Sequence, residues 1–592
     1  MMQLFSRSGL RLRGRAAFGA GFLILLVGAC LAFAALGDRA LWDDEAQTAV
    51  LGRQVLKHGL PLMLPEENVP TDRADRADFN DRQVFIWNTW LPHYLVAASF
   101  GILGESELAA RLPFAVTGVL TLLLIALVGR MMYPTRPWYP LLASALLALS
   151  IPFLLHVRQS RYYALAIFGT LWMVYGYLDR KDGRRPDWKH MAAGGAVCFH
   201  SFHVIAAING LAFLLHALWR GHREAAKEVF KAGAAILLVA APAIIYMRLW
   251  SFPPSAGQSV SAVDSFWVYL LWLNGFLLPL PIVLLYGGLG RVKGAWLWGA
   301  AYALFLAGAV ASSPPLTRAL AVAILLLALA AIWHARPSDG VSGQSADGKS
   351  GAARADPIGP GELLAFFSVT YVLVLSLISQ YPFYRYVVPL TPLAALFMAR
   401  VVWRVMDRSV AASAVLVIVL VASNLAGTLP LAAVERLTER SGEVRHQYTV
   451  LPREIWRWTA IRSDLASYLD ELRGTVADPE RCVADAVAAL EGSERIVKAS
   501  YGDLSLMYYA PDKRIISRHA VGDGIPDVVV PRDPYALRQD AAFLERVRSV
   551  HYAAVKLPCP NIIWSNNPDP LFHRYRLPED APPLVIYRRQ HD

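Results

Sequence analysis

Long apolar stretches, separated by short basic or aromatic clusters, recur along the chain from about residue 16 to residue 429. Crossing ~30 Å of hydrocarbon as a helix takes about 17 to 25 such residues, fewer where helices are short or paired as hairpins, which predicts about 13 passes. They fall at residues 16–36, 112–128, 140–155, 163–178, a tight pair within 191–219, 232–250, 267–287, 295–311, 316–333, 363–378, 387–402 and 410–429. Residues 84–100 are only moderately apolar but carry Trp87, Trp90 and Tyr94, side chains that favour the headgroup zone. That stretch is expected to lie along an interface instead of crossing it.

After Pro430 the texture changes. Ile461, Leu465, Leu469 and Leu472 recur at helical spacing, while residues 495–499, 514–517, 527–530 and 552–556 read as short strands. The pattern predicts a polytopic α-helical membrane protein over residues 1–430, with a soluble α/β domain over 431–592.

Composition agrees: 55% of residues are hydrophobic, 17% are charged and the mean hydropathy is +0.38, which excludes an ordinary soluble multidomain protein. A net charge of +11 would suit nucleic acid. The basic residues, however, cluster between apolar runs: Arg7 to Arg15, Arg130 and Arg136, Arg180 to Arg185, 220–231, Arg291 and Lys293, and 400–408. They occupy alternate loops, so the positive-inside rule assigns them to the cytoplasm, and an odd number of passes puts residues 37–110 and everything after Pro430 outside. Arg7 to Arg15 before an apolar run would also suit a signal peptide, but residues 36–38 lack a small-residue cleavage site and a retained anchor is expected. The Gly-, Ser- and Asp-rich loop at about 336–361 reads as a flexible cytoplasmic linker. Cys482 and Cys559, on the oxidising side, could pair; Cys30 and Cys198 lie in apolar segments and read as reduced packing residues.

Candidate chemistry concentrates at the outer boundary. Asp43, Asp44 and Glu45 directly follow the first apolar segment, where a solvated polar flank and a membrane-surface site are both open readings. Further on, Asp72, Asp75, Asp78 and Asp81 interleave with Arg73, Arg76 and Arg82, most simply a solvated loop tip. Arg158, Arg161, Arg318 and Arg385 break the positive-inside pattern and fall on the same side as Asp44; a guanidinium fork suits phosphate oxygens, while snorkelling is the plainer alternative. His200 and His203 fall near the outer turn of the tight pair, as cavity-lining residues or as a packed pair. A Mg or Mn ion would suit the carboxylates and Zn the histidines, but no third ligand stands at recognisable spacing, so no metal or other cofactor is firmly implied. There is no Walker-type phosphate loop, and the glycines of 287–290 read as a turn.

Asp44-Glu45 after the first helix, Arg111-Leu112-Pro113 opening the second, Arg161-Tyr162-Tyr163, and Arg385-Tyr386-Val387-Val388-Pro389-Leu390 before a late helix together resemble the C-type (GT-C) membrane glycosyltransferases. The resemblance is to bacterial members of the protein O-mannosyltransferase and lipid A aminoarabinose transferase superfamily, and it covers the membrane part. It implies inverting transfer of a hexosyl or pentosyl group from a polyprenyl-phosphate donor to a hydroxyl of an envelope glycan, lipid or protein, on the outer face of the bacterial inner membrane. It also implies Asp44 as general base, Glu45 as its support with Asp43 adjacent, and Arg161, Arg385, Tyr162, Tyr386, Arg158 and His93 around the donor phosphate. Relatives often carry Lys or His followed by two prolines where this chain has Leu91-Pro92-His93-Tyr94, so His93 departs from the pattern. A transporter or flippase of a lipid-linked sugar would use the same interfacial arginines, although paired repeats around midplane polar sites are not evident. A membrane-anchored binding or assembly protein would leave the first-loop acids idle.

Overall fold

The computed structural model describes residues 2–63, 68, 70–71, 78–178, 186–249, 260–290, 295–309, 314–334, 360–379, 382–437, 461–474, 478–490, 496–516, 525–533, 541–548, 550–563, 565–570, 572–576 and 580–590. The 339–361 linker, apart from its last two residues, and Asp72, Arg73, Asp75 and Arg76 lie outside them.

The membrane part begins with α1 (Met2–Phe33), followed by α2 (Asp43–His58) and α3 (Leu91–Leu103), which pack side by side at one end of a helical bundle. The bundle continues through α4 (Glu107–Met132), α5 (Trp138–Ala148), α6 (Ile151–Val157), α7 (Tyr163–Leu178), α8 (Trp188–Trp219) and α9 (Arg223–Met247). It is completed by α10 (Ala262–Trp272), α11 (Leu280–Gly290), α12 (Ala295–Ala309), α13 (Pro314–His334), α14 (Pro360–Ile378), α15 (Thr391–Met406), α16 (Val410–Ala422) and α17 (Leu425–Leu437). Among the described residues six helices are long and apolar enough to cross a membrane, or up to nine if each bent pair is one span. That is fewer than the sequence pattern suggested because several passes are broken or short. The α5 and α6 pair bends by 66°, and α7 is a 16-residue apolar helix.

The expected tight pair within 191–219 has a definite geometry. Residues of α8 are helical on both sides of Phe202, whose φ and ψ of −153° and 92° break the run. The Asn209 amide lies 3.8 Å from Cys198 Sγ, eleven residues away, a separation of about 16 Å along a straight helix. At the far end Tyr177 and His216 share a 2.8 Å hydrogen bond, while Asp187 N–H reaches Gly176 C=O at 2.8 Å, so both ends of α8 return to the same end of α7. Phe202 is therefore the tip of a hairpin. Close approach of α7 to its first arm depends on glycine: a Cβ on Gly169 would sit 2.7 Å from both Gly194 O and Cys198 Sγ. Cys198 is buried there, as expected; Cys30 instead sits on an exposed face of α1.

The interfacial helix starts later than its composition suggested. Residues 79–90 are irregular, tied by the Leu62–Val84 and Phe79–Phe85 bridges, and α3 begins only at Leu91, with Pro92 in its first turn. Asp78 is also not solvated: it is 1% exposed and accepts a 2.6 Å bond from Thr71 Oγ1, whereas Asp81 and Arg82 are exposed as expected.

Beyond α17 the chain forms α18 (Asp464–Arg473), α19 (Pro479–Ala488), α20 (Asp503–Tyr509) and α21 (Ala541–Val547) around a five-stranded sheet. Its strands are β1 (Ile496–Ala499), β2 (Arg514–Ile516), β3 (Val528–Val530), β4 (Tyr552–Pro560) and β5 (Pro583–Arg589), in the order β2-β1-β3-β5-β4. β1 runs parallel to β2 and β3, and β5 runs antiparallel to β3 and β4. A disulfide joins Cys482 of α19 to Cys559 of β4. The apolar core is continuous from the bundle into this α/β part.

Candidate active site

The site is built where α2 begins. Trp42 precedes α2 in extended conformation and offers no side-chain cap, so Asp43, Asp44 and Glu45 form the helix's first turn, where carboxylates complement the positive end of the dipole. All three are buried, at 4%, 9% and 0% exposure. Burial of adjacent acids requires partners, and each has a different set.

Glu45 is fully engaged by structure. Arg111 of α4 grips it through two bonds, Nε to Oε1 at 2.8 Å and Nη2 to Oε2 at 2.6 Å, and Ser160 N–H donates to Oε1 at 2.8 Å. The same guanidinium donates to the carbonyls of Leu36, Arg39 and Ala40, binding the connector between α1 and α2. Asp43 turns toward the α/β part and accepts from Gly502 N–H at 3.3 Å. Asp44 faces the two outlying arginines: Arg385 Nη1 donates to Oδ2 at 2.7 Å, and Arg161 Nη2 lies 3.6 Å from Oδ1. Tyr163 Oη stands 3.5 Å from Oδ2.

Arg385 sits between α14 and α15 on a turn formed by Tyr384–Tyr386, with its guanidinium carbon 4.3 Å from the centre of the Phe383 ring. Arg161, in the short link between α6 and α7, is buried and also donates to Gln47 Oε1 at 3.0 Å and Thr48 Oγ1 at 3.2 Å. Tyr162 and Tyr386 enter through an aromatic stack. Phe202, the hairpin tip, lies between them, 4.6 Å from Tyr162 and 5.5 Å from Tyr386 with rings inclined by 22° and 19°. Sequence reasoning singled out both tyrosines but not Phe202. Its only signal was its place at the turn of the expected tight pair.

Other expected site residues lie at the margin. Arg158 donates to the carbonyls of Leu31 at 2.9 Å and Ala34 at 2.6 Å, closing the C-terminal end of α1, so its fork is directed at backbone instead of Asp44. Arg318 pairs with Asp264 at 2.8 Å, apart from Asp44. His93 is 2% exposed and packs edge-on to Phe85; burial, with Arg161 nearby, holds it neutral, its pKa pulled down to about 3. His200 and His203 flank the hairpin tip, half-buried against Phe199 and Phe202. Among the described residues no group of three or more His, Cys, Asp or Glu is arranged to hold a metal ion.

The α/β part clamps the connector that carries the acids. Ala40 N–H donates to Asp478, Asn566 Nδ2 donates to Ala40 O at 2.7 Å, Leu41 N–H donates to Tyr509 Oη at 2.8 Å and Ser505 Oγ donates to Leu41 O at 2.7 Å. Arg39 meets Glu471 at 3.2 Å, and Glu471 accepts from His573 at 2.9 Å. Burial raises the Glu471 pKa, but His573, Arg39 and Arg158 outweigh it and the net shift is downward. A depressed carboxylate adds stability that is complete above its ordinary value near 4.5 and is lost as pH falls through the lower folded value. Thermal scans between pH 3 and pH 6 should therefore show a steeper acid loss in the native protein than in Glu471→Gln; parallel curves would assign the acid sensitivity elsewhere.

The chain is a polytopic helical bundle with an α/β part at one end, where a carboxylate faces two arginines. The fold is that of the C-type membrane glycosyltransferases. Residues 88–246 match the family model described as dolichyl-phosphate-mannose-protein mannosyltransferase. The fold is similar to the crystal structure of ArnT from Cupriavidus metallidurans bound to undecaprenyl phosphate, with 13% identity, 96% of this chain and 97% of that chain covered, and a TM-score of 0.51. It is equally similar to the apo form of the same ArnT, with 14% identity, 97% and 98% covered, and a TM-score of 0.52. At these identities the likeness is one of fold. Comparison with curated protein sequences gives no match.

Proposed function

We propose that the protein is an inverting glycosyltransferase that moves a sugar from a polyprenyl-phosphate donor to a hydroxyl of an envelope glycan, lipid or protein, on the outer face of a bacterial inner membrane. The observation that carries the reading is the pairing of Asp44 with Arg385 and Arg161, a carboxylate and two cations brought together from three separated segments. Asp44 takes the acceptor hydroxyl proton as that oxygen attacks the anomeric carbon. The bond from that carbon to the phosphate oxygen breaks, and polyprenyl phosphate leaves with the charge that Arg385 and Arg161 stabilise. Glu45 supports the base indirectly by fixing the first turn of α2 through Arg111.

An apolar cavity of about 140 Å³ supports a prenyl donor. Phe266, Leu273, Val283, Phe305 and Phe397 line it, and so does Leu390, the last residue of the short turn Val388–Leu390 that follows the Arg385 turn in sequence. The ArnT structure of the same fold is bound to undecaprenyl phosphate, a lipid phosphate of this class.

The test uses purified protein in proteoliposomes with a radiolabelled polyprenyl-phosphate sugar and extracted envelope acceptors. Label should move to an acceptor fraction; translocation of the donor without transfer would replace the reading with a flippase. Arg385→Ala is expected to raise the donor KM or slow phosphate departure, lowering kcat/KM by about 10²-fold. Unchanged kinetics in both Arg385→Ala and Arg161→Ala would remove the phosphate role.

A further inference from the structure

The end of the bundle opposite Asp44 carries a second arginine cluster that the proposed reaction does not use. α15 starts at Thr391, shortly after Arg385, and its rise of ~1.5 Å per residue puts Arg404 about 20 Å further along the bundle. Arg400 and Arg404 lie one helical turn apart, both half-buried. The Arg400 guanidinium carbon is 4.6 Å from the centre of the Tyr133 ring, and that of Arg404 is 4.2 Å from Tyr286, whose carbonyl also accepts from Arg404 Nη1 at 3.2 Å. Arg136 lies 5.4 Å from the ring of Trp403, between them in sequence.

These cations differ from three other arginines packed into the bundle. Arg111, Arg220 and Arg385 have a carboxylate oxygen at 2.6, 2.9 and 2.7 Å. Among the described residues no carboxylate pairs with Arg400 or Arg404, and Arg400 Nε is buried without a hydrogen-bond partner. The neighbouring acid, Asp407, is half-exposed and lies 3.9 Å from Arg136, a weak compensation. Two adjacent cations held against aromatic faces, one with an unused buried donor, call for an anion with several oxygens. Trp138, 42% exposed at the start of α5 and next to Tyr139, marks the depth at which lipid headgroups lie.

We propose that Arg400 and Arg404, with Arg136, bind the phosphodiester of an anionic glycerophospholipid. The chemistry is that of a phosphate group, for which a lipid headgroup and free inorganic phosphate are the two sources. The site stands independently of the glycosyltransferase reading.

Thermal denaturation of the full-length, detergent-purified protein tests it, with added phosphatidylglycerol, phosphatidylcholine or inorganic phosphate. Phosphatidylglycerol should raise Tm saturably and phosphatidylcholine should not, and native mass spectrometry should show at least about a tenfold preference for the anionic lipid, as expected for two cations near a charged headgroup. The response should vanish in Arg400→Gln/Arg404→Gln and persist in Asp44→Asn. If the double variant does not fold, each single Gln variant should show a weakened preference by mass spectrometry. An equal response to inorganic phosphate would overturn the lipid assignment. An equal response to phosphatidylcholine, or an undiminished response in the Gln variants, would overturn the site.

Discussion

Asp44→Asn is expected to lower sugar transfer by about 10²- to 10⁴-fold, the range for loss of a positioned general base. The substitution is close to isosteric and keeps an oxygen for Arg385, so the fold and donor binding should survive. Of the three acids, only Asp44 faces both Arg385 and Arg161, the groups proposed to receive the leaving phosphate. Asp43 points to Gly502, and Glu45 to Arg111 and Ser160. Initial rates and donor KM, measured with equal amounts of folded protein, separate the outcomes. Full activity in Asp44→Asn would remove it as base, and a raised KM with unchanged kcat would give it a binding role only.

Arg111→Ala should act on stability at least as strongly as on rate. It leaves a fully buried Glu45 with the Ser160 N–H as its remaining hydrogen bond described above, and it removes one donor from each of three connector carbonyls, of which Ala40 O keeps Asn566. Removing one partner of a buried ion pair costs about 3–5 kcal/mol, enough to empty the folded state of a marginal protein. Yield of monodisperse protein and its Tm in detergent should both fall sharply. Glu45→Gln is the informative companion, since it keeps a hydrogen-bond acceptor for Arg111 and should lose less stability. A Glu45→Gln protein with native Tm and no transfer would move Glu45 from support to chemistry.

The membrane class was legible because twenty-residue apolar runs have few other uses. The hairpin at Phe202 was visible as two short runs, and the disulfide as two cysteines placed on one side. What composition could not show is which partner each polar side chain has. Arg158 and Arg161 stand three residues apart in one motif, yet one closes α1 and the other meets Asp44, a distinction made by the direction of the link before α7. Asp78 looked solvated because its neighbours in sequence are charged, but its partner Thr71 withdraws it from solvent. β5 went unread: its short apolar run ends in Arg588 and Arg589, and its place inside the sheet is set by pairing with β3 and β4.

The clamp on residues 39–41 has a consequence for timing. The acids leave the ribosome more than 400 residues ahead of Asp478, Ser505, Tyr509 and Asn566, which hold their connector. Chains are made from the N-terminus at about 5–20 residues per second, so the carboxylate proposed as base waits tens of seconds for the parts that hold its connector. A chain stopped between residues 386 and 566 would carry every residue proposed to do chemistry and still lack Asn566 of the clamp.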